Sequence, residues 1–105
     1  ASDVYKRQDM LNTLCLIVSP KGKNNSLHIH QDVNIFQCVL ESDQVVHYQM
    51  RPSRQLWLQI AQGGLEANSL YLKAGDGLAI TEEAGILKLK GLEARSNFLI
   101  FDLPE

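Results

Sequence analysis

The sequence predicts an all-β domain, a small closed barrel of two antiparallel sheets, on three observations. Apolar residues come in short runs, and none of these runs carries a helical period. Turn-forming residues separate the runs at roughly eight- to twelve-residue intervals, the spacing of a sandwich or barrel. The stretch Leu70-Tyr71-Leu72-Lys73-Ala74-Gly75-Asp76-Gly77-Leu78-Ala79-Ile80 reads as strand, tight Gly-Asp-Gly turn and strand.

The elements follow in order. Leu14 to Val18 is a short, wholly apolar strand, followed by a polar loop from Ser19 to Ser26. Leu27 to His30 and Val33 to Leu40 are strands with a step at Gln31-Asp32, and 41–44 is a turn. In the strand from Val45 to Met50, Val46, Tyr48 and Met50 share one face, and Val45, His47 and Gln49 share the other. Residues 51–54 break the chain. Leu56, Leu58 and Ile60 then line one side of a strand, opposite Trp57, Gln59 and Ala61. Leu65 to Ala67 and Leu70 to Leu72 flank Asn68-Ser69, a two-residue hairpin signal whose residues tolerate positive φ. Leu78 to Ile80, Ile86 to Leu89 and Asn97 to Asp102 complete the set, and 81–85 could form one helical turn.

The 105 residues make one domain, with 1–25 as an arm carrying a short strand and 26–105 as the barrel. A chain of this length folds around one core without disulfide or metal staples. Net charge is −2 and the basic residues are scattered, which argues against a nucleic-acid partner. No apolar run reaches the roughly 20 residues that span a bilayer, and the N-terminus lacks a secretory h-region. Cys15 and Cys38 sit in apolar runs and read as small buried hydrophobes, so a reducing, cytoplasmic setting is expected. Met10 is one reading of the native start; a linker from an upstream domain ending near Tyr5-Lys6-Arg7-Gln8 is the other.

Candidate chemistry is sparse. His28-Ile29-His30 places two imidazoles on one strand face with Cα atoms roughly 6.5 Å apart, close enough to share an ion. His47 could be a third ligand only if its strand lies alongside with that face inward. The adjacent Glu82 and Glu83 would face opposite ways on a strand and read as a solvated turn. Arg51, Arg54 and Arg95 read as solvated or ion-paired loop residues, and Trp57 as a packed barrel residue. The sequence has neither a Gly-x-Ser-x-Gly elbow nor a phosphate-cradling loop.

From Ser26 to Glu105 the chain resembles the C-terminal cupin half of pirin-like bicupins, a group that includes quercetinase-like proteins. The residues that carry the resemblance are 27–32, His47, Leu56 to Ile60, the Gly63 to Asn68 hairpin, Gly75 to Ile80 and the closing Phe98 to Pro104. It implies a cupin-like barrel of the double-stranded β-helix, or jelly-roll, type. In that family the active metal, usually iron, lies in the N-terminal half, held by three histidines and a glutamate. Here the cupin pattern is incomplete. Asn34, Ile35 and Phe36 stand where a glutamate is wanted, and Thr81 follows Ile80 where a histidine is wanted.

The resemblance therefore implies a metal-free, cofactor-free and non-catalytic domain that works through association, as a homodimer or with a partner cupin domain. If a metal site exists after all, His28, His30 and His47 are its ligands. A small-molecule-binding barrel is the alternative, with His30, His47, Gln49 and Trp57 expected inside; a quercetinase-type dioxygenase comes third.

Overall fold

The computed structural model describes residues 10–19, 27–28, 32–81 and 85–104, with residues 27–28 described by backbone alone. Ten strands are present among the described residues. They are β1 (Cys15–Ser19), β2 (Leu27–His28), β3 (Asn34–Glu41), β4 (Val45–Met50), β5 (Arg54–Gln62), β6 (Gly64–Ala67), β7 (Leu70–Lys73), β8 (Gly77–Thr81), β9 (Gly85–Gly91) and β10 (Arg95–Pro104). The helical turn expected at 81–85 falls partly outside the described residues, and no helix among them is long and apolar enough to cross a membrane.

The strands form a six-stranded sheet in the order β2-β1-β3-β10-β5-β8 and a four-stranded sheet in the order β4-β9-β6-β7. Ladders are antiparallel except for the short parallel pairing of β1 with β2. The strand placed in an N-terminal arm by sequence is an inner strand of the larger sheet: β1 pairs with β3 through Cys15–Gln37 and Val18–Ile35. Upstream of it, Asn12 is also tied in, its Oδ1 accepting the Glu41 backbone N–H at 2.8 Å and its Nδ2 donating to Glu41 Oε1 at 2.9 Å.

Antiparallel register puts opposed residues on the same face, so each sheet sorts its side chains into rows. On the inner face of the larger sheet, Phe36, Ile100, Leu58 and Leu78 form one row, and Asn34, Asp102, Leu56 and Ile80 form the next. The smaller sheet contributes Val46, Leu65, Ala67, Leu72, Leu87 and Leu89. Together these faces make one buried core that also takes in Cys38, Phe98 and Ile60. Asn68 and Ser69 adopt φ of 46° and 89°, as the two-residue turn between β6 and β7 requires.

One polar pin joins the sheets near the start of β10. Buried Ser96 donates from Oγ to the Gly64 carbonyl at 2.7 Å and accepts from the Gly64 N–H at 3.0 Å. Both partners are satisfied, so the pin leaves no stranded donor in the core.

Candidate functional site

At the other end of β10 the inward row ends in a carboxylate. Asp102 has the same strand parity as Phe98 and Ile100, and its side chain is 1% exposed. A charge buried this deeply needs paired cations and hydrogen bonds. Arg54, at the start of β5, donates from Nε to Asp102 Oδ1 at 2.7 Å and from Nη2 to the Asp102 carbonyl at 3.1 Å. Its Nη1 reaches Asp32 Oδ2 at 2.6 Å, and Nη2 also donates to the Asp32 carbonyl at 3.1 Å. From the smaller sheet the Tyr48 hydroxyl donates to Asp102 Oδ2, and exposed Arg51 adds a longer contact to the same oxygen at 3.4 Å.

Burial works against the charge of Arg54, but its hydrogen bonds to Asp102 and Asp32 outweigh that and raise its pKa, so it stays cationic. Burial, then the hydrogen bond to Asp102 and that carboxylate's charge, push the Tyr48 phenol upward, so it stays protonated. Phe36 packs edge-on against the Tyr48 ring with centroids 5.1 Å apart. Among the described residues no buried side-chain polar atom lacks a hydrogen-bond partner. The buried polar atoms of the cluster are thus all hydrogen-bonded, with Asp102 at its centre. Asp102 escaped attention in the sequence, where it reads as a strand terminus; Arg54 was expected to be solvated or ion-paired, and it is ion-paired to Asp32 and Asp102. The available signal was the parity of Asp102 with Phe98 and Ile100.

The residues expected inside the barrel lie elsewhere. His47 and Gln49 are exposed on the outer face of β4, opposite the inward Val46, Tyr48 and Met50. Gln49 donates to the carbonyls of Met50 and Gly85. Trp57 is 39% exposed on the outer face of β5. The physical reason is the two-residue strand period: once the more apolar set takes the core, the polar set must face outward. His30 and the side chain of His28 lie outside the described residues.

Of the three histidines the sequence offered as ligands, only His47 has a described side chain. Among the described residues no three His, Cys, Asp or Glu side chains converge, and His47 points away from the interior. Borderline metals generally require three or four protein ligands.

Two other features could meet a ligand or partner. One is a cleft of about 340 Å³ beside the edge strand β8, walled by Leu78, Ile80, Ala67 and Leu87 with exposed Asn68 and Thr81 alongside. The other is the outer face of the six-stranded sheet. There Ile35, Phe101, Trp57 and Ala79 lie in one cross-strand row, and Gln37, Leu99, Gln59 and Gly77 in the next. Neither row contains a charged residue.

Two sheets closing on one core in this strand order define a cupin-type barrel, and a Bacteroides fragilis cupin protein superposes with a TM-score of 0.60 at 16% identity over 78% of this chain. The family model described as the quercetinase C-terminal cupin domain matches residues 16–103, and the chain belongs to that family. A Pasteurella multocida protein whose name proposes quercetin 2,3-dioxygenase activity is 40% identical over 90 residues, covering 84% of this chain and 38% of the relative. The quercetin 2,3-dioxygenase of Escherichia coli K12 is 31% identical over 99 residues, covering 94% of this chain and 42% of the relative. The structure of the E. coli pirin YhhW in complex with nickel(II) aligns with a TM-score of 0.82 at 30% identity, over 88% of this chain and 39% of that one. The chain thus spans about two-fifths of the length of the relatives it matches.

Proposed function

We propose that this chain is a metal-free, non-catalytic cupin domain that acts through self-association or protein partners. The observation that carries this reading is a pair of uncharged rows at the centre of the outer face of the six-stranded sheet, with Ile35, Phe101, Trp57 and Ala79 in register across four strands. Interface cores are depleted of charge and enriched in aromatics, whereas solvated sheet faces carry mixed charge. The outer face of the smaller sheet is of the solvated kind, with His47, Glu66, Lys88 and Lys90 side by side. The saturated Asp102 network supports the same reading, since a site poised for chemistry keeps a reactive group available.

The test is light scattering on the purified chain, with and without EDTA. The expected result is a mass above the 11.8 kDa of one chain, unchanged by the chelator. A clean monomer at micromolar concentration contradicts the self-association half of the reading, and an assembly that dissolves on chelation contradicts its metal-free half.

A second reading, small-molecule binding, is favoured by the cleft beside β8, whose Leu78 and Ile80 walls reach the core. A thermal shift with flavonoids, abolished by Leu78→Trp, supports it. Dioxygenase activity of the quercetinase type is named for the longer relatives, and the described donor set of this chain offers it no metal cage.

A further inference from the structure

We draw no further inference here: the strongest candidate, the cleft between the edge strand β8 and Ala67 and Leu87 of the smaller sheet, belongs to the small-molecule site already described, and nothing among the described residues shows what fills it.

Discussion

The Tyr48 hydroxyl donates to the Asp102 carboxylate across the gap between the two sheets. Tyr48 belongs to the four-stranded sheet and Asp102 to the six-stranded sheet. With Arg54 the pair forms a polar pin at one end of β10, and Ser96 with Gly64 forms another near its start. Between the two pins the inward residues of β10 are Phe98 and Ile100. The barrel is thus apolar in the middle and tied by saturated hydrogen bonds at both ends. Such networks fix how two layers meet while contributing little net stability over an apolar replacement.

Removing one partner of the pin should cost more than the pin contributes. Asp102→Ala leaves the Arg54 guanidinium, with its side chain 10% exposed, without its main counter-charge. The expected loss is about 3–5 kcal/mol. Tyr48→Phe removes one hydrogen bond to the carboxylate and should cost about 1–3 kcal/mol. Urea unfolding of both single variants and the double variant checks this, and the two losses should not add because the residues share one network.

Alkali should destabilise the fold before general denaturation sets in. Burial pushes the Cys38 thiol up to about 12 from its ordinary 9.0, with a backbone hydrogen bond from Thr13 opposing it weakly, and the Tyr48 phenol is raised as well. Both groups keep their protons more tightly in the folded chain than in the unfolded one. Between about pH 9 and pH 12 the folded state therefore binds more protons, and stability falls as pH rises through that window. The contribution is fully present below pH 9. Urea midpoints measured from pH 7 to pH 11 should hold steady and then decline above about pH 9, and Cys38→Ala should soften the decline.

The same burial should make Cys38 inert. Thiol reagents attack the thiolate, and a fully buried thiol with a raised pKa offers almost none near neutrality. At pH 8, labelling of Cys38, located by peptide mapping, should await unfolding and follow the urea transition.

The segment before β1 should behave as part of the barrel. Asn12, at φ 54°, exchanges two side-chain hydrogen bonds with Glu41, and its N–H donates to the Val39 carbonyl. Asn12→Ala removes the side-chain bonds and places an unsuited residue in a left-handed conformation, at a cost of about 1–2 kcal/mol. A thermal melt reads the loss directly.

Much of this fold was legible in the sequence because the strands are short and bounded by turns. The Asn68-Ser69 hairpin, the Gly75-Asp76-Gly77 turn and the buried Cys38 all stand where local chemistry placed them. The site was less legible. His47, Gln49 and Trp57 were sought inside because they are the groups that bind ligands, although the alternation of Val46, Tyr48 and Met50 and of Leu56, Leu58 and Ile60 had already assigned the interior to their neighbours. The Asp102–Arg54 pair was hidden for a different reason: its two members are 48 residues apart and meet only through the register of β10 with β5. The β1 strand is apolar from Cys15 to Val18, so no alternation revealed that it joins the sheet instead of trailing from it.

The central claim is that the outer sheet face is the working part of this domain and that its interior holds no ion. Elemental analysis of the protein, purified without chelator after exposure to Fe(II), Ni(II) and Zn(II), addresses the interior most directly. The account predicts metal far below one atom per chain. Close to one atom per chain, lost on His30→Ala, contradicts it.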